Sequence, residues 1–187
     1  MKIMKITIAW ALLLSLLFIS VAAQSAGKKK CELLKKSGQA VVGDKAPFFG
    51  GWYFKERQKV FNTDKVWGNP GEKRIALVFF TTTCGPCLAG MEKLKKARKE
   101  LKKAKVPVYL VNFKEDAKKV ERFMKKHPMP FPVIHDRFGN AQGAYLDSSG
   151  KSVVLPRTVI LGKDGKVKLI IGEEGDDYVD CMIERNG

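Results

Sequence analysis

The sequence predicts an α/β domain with a mixed central β-sheet and helices on both of its faces. A continuous apolar run at residues 75–80 is typical of a strand buried on both sides. Apolar side chains at spacings of three and four then indicate an amphipathic helix over 86–105. Further along, a Lys-Asp-Gly-Lys turn at 163–166 joins two apolar runs into an antiparallel hairpin. Strands linked by helices pair in parallel, so the predicted sheet is mixed.

The other elements follow from the same patterns. Residues 48–60 mix aromatic and charged side chains and predict a hairpin at the sheet edge, an N-terminal extension of the domain. Prolines at 128, 130 and 132 end a helix that precedes them. The predicted strands are 106–113, 131–135, 157–161 and 167–171, and the predicted helices are 115–126 and 176–185, with a helical turn or two over 138–145.

The first 23 residues predict a secretory signal peptide. Lys2 and Lys5 precede an apolar run over 6–21, and small residues suited to signal peptidase follow. An uncleaved membrane anchor is the alternative, but the run is shorter than the roughly 20 residues that span a bilayer, which favours cleavage. Either reading predicts a periplasmic or otherwise extracytoplasmic domain.

Residues 24–40 form a lysine-rich lead-in, for which we expect a short helix with Cys31, Leu33 and Leu34 as its apolar positions. Residues 41–187 are then the folded domain. The chain has 187 residues, of which 45% are hydrophobic, which suits one core and is too little for two.

Basic residues outnumber acidic ones, with 35 Lys and Arg against 19 Asp and Glu, for a formal charge of +16. Such a field favours acidic partners and contact with anionic membrane surfaces. Nucleic acid is not an expected partner, because the lysines are dispersed and lack interleaved aromatic residues. A solvated basic surface that keeps the protein soluble is the simplest interpretation.

The motif Cys84-Gly85-Pro86-Cys87 lies between the buried strand and the helix, and it predicts a redox-active disulfide. Two intervening residues on a first helical turn bring the sulfurs within bonding range. Unpaired N–H groups and the helix dipole stabilise a thiolate at Cys84. Gly85 leaves access for a substrate sulfur, and the φ angle of Pro86 suits a first turn. We therefore expect Cys84 to attack substrate and Cys87 to resolve the mixed disulfide.

Other uses of the two cysteines fit the sequence less well. A zinc site needs a second pair of ligands at suitable spacing, and haem attachment needs His where Leu88 stands. We therefore expect no metal and no cofactor beyond the disulfide itself. Cys31 and Cys181 form a structural disulfide in one interpretation and remain free thiols or pair with another protein in the others.

These motifs resemble the thioredoxin superfamily, and among its branches the exported thiol-disulfide oxidoreductases of the TlpA/ResA type, which are related to the AhpC/TSA and redoxin proteins. The resemblance rests on the strand, the Cys84–Cys87 motif, the helix and Leu155-Pro156-Arg157-Thr158, with further agreement at 42–47 and 131–145. It covers about residues 41 to 180. It implies a cis bond between Leu155 and Pro156, beside the cysteines, where the backbone of Leu155 binds an extended substrate.

The resemblance implies further that the partners are thiols and disulfides of exported proteins, with a membrane electron donor or acceptor. Reduction of apocytochromes during cytochrome c maturation is one such role, and the direction of exchange stays open. The sequence departs from the family at three positions. Thr83 replaces a frequent tryptophan, while Gly90 and Val78 stand where a buried carboxylate would assist the resolving cysteine. We therefore expect no buried carboxylate beside the pair.

Two alternative functions use the same fold. Thr81 and Cys84 match part of the thiol peroxidase pattern, in which Arg157 would supply the arginine, but Leu77 replaces the expected proline. A copper-delivery module calls for a longer cysteine spacing and a ligand histidine. His127 and His135 are interpreted as structural. Arg157 is interpreted as a solvated residue at a strand end, with contact to acidic substrates or to a thiolate as the alternative.

Overall fold

A computed structural model of the chain describes residues 30–56, 58–64, 74–149 and 152–184. The predicted signal peptide, 1–23, lies outside the described residues. Within them, no helix combines the length and the apolar character needed to cross a bilayer.

Twelve strands and four helices are present in the described residues, and the first six strands precede the first helix. The strands are β1 (Leu33–Leu34), β2 (Lys36–Ser37), β3 (Ala40–Val41), β4 (Gly50–Tyr53), β5 (Val60–Asn62), β6 (Arg74–Phe80), β7 (Val108–Phe113), β8 (Val133–Asp136), β9 (Ser148–Ser149), β10 (Ser152–Val153), β11 (Arg157–Gly162) and β12 (Val167–Ile171). The helices are α1 (Gly85–Lys96), α2 (Arg98–Lys103), α3 (Ala117–Lys126) and α4 (Tyr178–Glu184).

Eight of the strands form one mixed sheet in the order β1-β12-β11-β6-β7-β8-β4-β5. The three central strands β6, β7 and β8 are parallel, and the remaining pairs are antiparallel. Strands β2 with β3 and β9 with β10 form two small hairpins outside this sheet. The predicted α/β class and mixed central sheet flanked by helices are confirmed, and so is the edge hairpin, which is β4 and β5.

The prediction that helices cover both faces of the sheet is wrong for the described residues. Alternate residues of β6 enter two separate cores, with Val78 in one and Leu77 in the other. All four helices contribute side chains to the core that contains Val78. The reason is the strand order: β6, β7 and β8 lie side by side in chain order, and right-handed crossovers in one direction place both connecting helices on the same face.

The opposite face is covered by loops and by aromatic side chains. Tyr145 stacks on Phe79 with ring centroids 5.8 Å apart, and Phe49 packs edge-on against both. Residues 138–145 form turns and not the predicted helical segment. Here Gly139 and Gly143 adopt positive φ angles that interrupt a helix. The Asp136 carboxylate also accepts hydrogen bonds from the backbone of residues 140 and 141, which favours a turn.

Two further predictions need correction. The short helix expected in the lead-in is absent from residues 30–40, where β1 pairs with β12 and β2 turns back on β3. The lead-in is too short to show a hydrophobic period, so its pairing with neighbouring strands determines its conformation. The helix expected over 86–105 is divided into α1 and α2 at Ala97, whose ψ angle of 12° leaves the helical range.

Candidate active site

The cysteine pair lies where β6 gives way to α1. Cys84 is the N-cap of α1, with φ −82° and ψ 97°, and its Sγ accepts a hydrogen bond from the Cys87 backbone N–H at 3.2 Å. Pro86 occupies the first turn, where its missing N–H has no intrahelical partner to lose. The first turn carries no acidic side chain that would compensate the positive end of the helix. The local sequence thus builds a helix terminus suited to a sulfur anion.

Cys84 and Cys87 form a disulfide, with Cα atoms 5.3 Å apart. Cys84 is half-buried and is flanked by the exposed Gly85 and Pro86, whereas Cys87 has no exposed surface. Cys87 belongs to the core that also contains Val78 and Met91. An incoming molecule can therefore reach the sulfur of Cys84 and cannot reach that of Cys87.

A groove of about 570 Å³ opens beside Cys84. Its walls come from the start of α1, from the end of β7 and its continuation, and from β10 with Leu155; they are Thr81, Thr83, Cys84, Gly85, Pro86, Phe113, Lys114, Glu115, Ser152, Val153 and Leu155. The peptide bond between Leu155 and Pro156 is cis. The structure therefore brings Cys84, Gly85, Pro86 and Leu155 to one groove, with Pro156 directly after it.

Glu115 holds the segment that leads into the cysteines, and the sequence patterns did not single it out. Its carboxylate accepts hydrogen bonds from the backbone and hydroxyl of Thr82 at 2.6 and 2.8 Å, and from the Asn112 amide at 2.7 Å. Lys119 adds an ion pair at 2.7 Å. Burial alone would raise the pKa of Glu115, but these partners together lower it below its ordinary value. The one sequence feature that could have pointed to Glu115 is its position just after the carboxyl end of a parallel strand, where functional residues often lie.

Arg157 is buried, and the prediction of a solvated arginine is wrong. The first residue of β11 carries its guanidinium inward, where Nη2 lies 3.3 Å from the Asp147 carboxylate. Burial lowers the pKa of Arg157, while Asp147 and Glu32 oppose that shift. Its guanidinium is therefore engaged by the protein itself.

Both histidines contact protein groups. The His135 Nε2 atom lies 2.7 Å from the Glu115 carbonyl oxygen, and the His127 ring packs 4.8 Å from that of Phe123. Neither residue lines the groove beside Cys84. Both positions are those of packing residues.

The other two cysteines, Cys31 and Cys181, are joined in a second disulfide that ties the N-terminal segment to α4, with Cα atoms 6.9 Å apart. The Asp177 carboxylate lies within 4.8 Å of both sulfurs, and within the described ranges this is the one cluster with metal-ligand geometry. Because the two sulfurs are bonded to each other, they are not thiolate ligands.

The structure places a buried carboxyl group beside the helix of the redox pair, contrary to the expectation from Gly90 and Val78. It belongs to Glu174, in the loop between β12 and α4. A Cβ atom built on Gly90 would overlap this carboxylate. No sequence pattern pointed to Glu174, because it reaches the site only through the tertiary fold.

Residues 41–179 match the model of the Redoxin family. The chain belongs to the Redoxin family. Among solved structures, this Redoxin chain resembles the thioredoxin domain of a thiol-disulfide oxidoreductase from Bacteroides vulgatus, with a TM-score of 0.60 and 16% identity over 78% of this chain and all of that one. StoA from Bacillus subtilis has a TM-score of 0.56 and 19% identity, covering 74% and 97% of the two chains. These structural likenesses concern the fold.

The sequence is also similar to curated proteins named thiol-disulfide oxidoreductase ResA. Thiol-disulfide oxidoreductase ResA of Geobacillus kaustophilus is 33% identical over 99 residues, which are 53% of this chain and 54% of that protein. ResA of Bacillus subtilis is 30% identical over 99 residues, 53% and 52% of the two chains. The match spans about half the length of these curated relatives. The Redoxin match and these relatives support the resemblance to TlpA/ResA-type proteins.

Proposed function

We propose that the protein is a thiol:disulfide oxidoreductase that exchanges its Cys84–Cys87 disulfide with cysteine pairs of other proteins. One observation carries the proposal: the two sulfurs are bonded at a helix N-terminus, with Cys84 on an open groove and Cys87 buried beneath it. The names of the ResA relatives support the same activity. No cofactor is required, because the disulfide itself carries the two electrons.

Reduction of a substrate proceeds in two exchanges. The Cys84 thiolate attacks one substrate sulfur, a Cys84–substrate disulfide forms, and the other substrate sulfur leaves as a thiolate. Cys87 then attacks the Cys84 sulfur, the Cys84–Cys87 bond forms, and the second substrate thiolate is released. Two electrons pass from the pair to the substrate, and the reverse sequence oxidises a substrate dithiol. Burial of Cys87 keeps the first attack at Cys84.

The groove binds the substrate chain in this proposal. Leu155, Val153 and Pro86 line this groove together with Cys84, so an extended peptide bound along Leu155 would lie close to Cys84. Polar groups of the backbone next to the cis-proline are the ones that would pair with such a chain. Gly85 offers no side chain to obstruct it.

The cellular setting belongs to the proposal as well. The signal-like residues 1–23 and the ResA relatives favour an exported protein that meets exported thiols and disulfides and exchanges electrons with a membrane partner. Cytochrome c maturation is one such role. The charge of +16 favours contact with an anionic membrane surface and does not call for nucleic acid.

The test is insulin reduction by the purified protein with a dithiol as the electron source. Wild type and the Cys31→Ser/Cys181→Ser control should both be active, Cys84→Ser should be inactive, and Cys87→Ala should accumulate mixed disulfides at Cys84. Full activity of Cys84→Ser would contradict the proposal. A reduction potential measured against glutathione then decides the direction, because a low potential favours reductase function.

A further inference from the structure

Gly90 leaves a space on the buried face of α1, and Glu174 fills it. Gly90 lies one helical turn after Cys87, and both are buried on the same side of α1. The Cβ atom that any other residue would place at position 90 coincides with the Glu174 carboxylate. The glycine is therefore what admits a carboxyl group from another part of the chain to this helix face.

The distance to Cys87 follows from helix geometry. Residues three apart on one helix have Cβ atoms about 5–6 Å apart. Since the carboxylate occupies the Cβ position of residue 90, it lies at about that distance from the Cβ atom of Cys87. Cys87 itself has no exposed surface, so solvent cannot take its proton directly. A neighbouring base inside the protein is therefore needed to accept the proton of Cys87.

The Glu174 carboxyl group has the properties of a proton acceptor near neutral pH. Both of its oxygens are excluded from solvent, and among the described residues neither has a hydrogen-bond partner of normal geometry. Burial raises the pKa of Glu174 to about 7, and the Tyr178 hydroxyl and the Lys93 ammonium oppose this rise only in part. A buried carboxylate that the Tyr178 hydroxyl stabilises only in part is costly, so its retention calls for an explanation.

The loop that carries Glu174 is fixed on both sides. On the α1 side, the Lys93 ammonium donates to the Gly175 carbonyl at 2.8 Å and lies 3.8 Å from the Asp176 carboxylate. On the other side, the Glu32 N–H donates to the Glu173 carbonyl at 2.9 Å. The Glu32 carboxylate also accepts from the Glu173 N–H at 3.1 Å. The charged groups around the loop thus come from α1, from the N-terminal segment and from the loop itself.

We propose that Glu174 accepts the proton of Cys87 when Cys87 attacks the mixed disulfide at Cys84. The inference rests on the proposed function and adds the group that ionises the resolving sulfur. The proton passes from the Cys87 thiol to the Glu174 carboxylate, the Cys87 thiolate attacks the Cys84 sulfur, and the substrate sulfur leaves with the bonding electrons. Glu174 releases this proton before the next cycle and the leaving thiolate takes one up, so protons and charge balance over the step.

The resolution step can be observed with an aromatic disulfide, 5,5′-dithiobis(2-nitrobenzoate), mixed with the reduced protein. The first coloured thiolate is released by Cys84 and the second by Cys87, so the second phase reports resolution. General acid–base catalysis contributes about 100-fold or more, so Glu174→Gln should slow the second phase about 100-fold at pH 7 and leave the first unchanged. The ionisation near pH 7 should also vanish from the rate profile of that phase.

Two matched variants distinguish the loss of proton transfer from a structural effect of changing Glu174. Glu173→Gln changes the exposed neighbour in the same loop and should retain the wild-type rate. Gly90→Glu combined with Glu174→Ala returns a carboxyl group to the same space from the helix, and it should recover the second phase to within about tenfold of wild type. A second phase of Glu174→Gln with the wild-type rate and pH profile would overturn the inference.

If Glu174→Gln does not fold, the wild-type protein gives the answer by NMR. The side-chain carboxyl resonance of Glu174 should titrate differently in the oxidised and reduced proteins, because only the reduced form has the Cys87 proton nearby. Identical titrations in both forms would overturn the inference. A wild-type protein without any disulfide exchange would refute the proposed function instead, so the two failures are distinct.

Discussion

Glu115 accepts two hydrogen bonds from Thr82, one from its backbone and one from its hydroxyl, across the gap between the end of β7 and the segment before Cys84. The same carboxylate accepts from the fully buried Asn112. One acidic side chain therefore fixes the segment before the redox pair and accepts a hydrogen bond from the buried NH2 group of Asn112. Glu115 lines the groove and is hydrogen-bonded to the segment that precedes Cys84.

We expect Glu115→Ala to lower the free energy of unfolding by about 3 kcal/mol at pH 7, because it removes charge-assisted hydrogen bonds and leaves the Asn112 amide unpaired. Urea unfolding of the oxidised protein measures the loss. The pKa of Glu115 is lowered in the folded protein, so its contribution is present above about pH 4.5 and is lost as the pH falls through the folded value. The difference in the free energy of unfolding between Glu115→Ala and wild type should therefore become smaller at acidic pH.

Glu121→Ala is the matched control for this prediction. Glu121 pairs with Lys125 on α3 at 3.0 Å, and the two side chains are 44% and 76% exposed. Exposed pairs of this kind contribute about 0.5 kcal/mol or less. Equal losses in the two variants would show that Glu115 acts merely as a surface charge.

A second prediction concerns the disulfide between Cys31 and Cys181, which closes a loop of sequence separation 150. Cys31→Ser/Cys181→Ser should lower the free energy of unfolding by about 2–5 kcal/mol, since the cross-link restricts the unfolded chain. Guanidinium unfolding measures the change. Thiol titration of the oxidised wild type should find no free cysteine, and two reactive thiols in that titration would contradict the pairing.

The redox pair was predictable because its determinants are local. A buried strand, a turn and an amphipathic helix can be identified within residues 75–105, and the Cys84–Cys87 spacing acquires its meaning from that context alone. Strand order is not local in this way. The side of the sheet on which α3 packs depends on whether β8 lies beyond β7 or back beside β6, and no periodicity in the sequence contains that information.

Glu174 likewise could not be predicted from local sequence, because it reaches the site from a distant part of the chain. The sequence indicates correctly that position 90 has no carboxylate, and the inference from that absence fails because a carboxylate reaches the same space from the loop after β12. The lead-in gives a second example. Leu33 and Leu34 stand among lysines with no periodic signal, and they become strand only because β12 offers them an edge.

A third prediction tests the packing of Gly90 against Glu174 by a double-mutant cycle. In wild type, Gly90→Ala forces the carboxylate aside and should lower the free energy of unfolding by about 1–3 kcal/mol. In the Glu174→Ala background the space is empty, and the same change should stabilise the protein by up to about 1 kcal/mol, as alanine does in a helix interior. Urea unfolding of the four proteins gives the coupling. The same effect of Gly90→Ala in both backgrounds would rule out this contact.

The last prediction follows from the ionisation of Glu174. Its pKa is raised from 4.5 to about 7 by burial, so between these values the folded protein holds a proton that the unfolded chain has released. The free energy of unfolding must then fall as the pH rises through this window, by roughly 3 kcal/mol in all.

Glu174→Gln removes that titration, so its stability should exceed that of wild type increasingly from about pH 5 to pH 8. Chemical unfolding at several pH values measures the difference between the two proteins. The other ionisable groups are common to both proteins, so their contributions cancel in the difference. If the free energies of unfolding of the two proteins varied with pH in parallel, the Glu174 carboxylate would be in contact with solvent. Such a carboxylate could not hold the proton of Cys87 within the core.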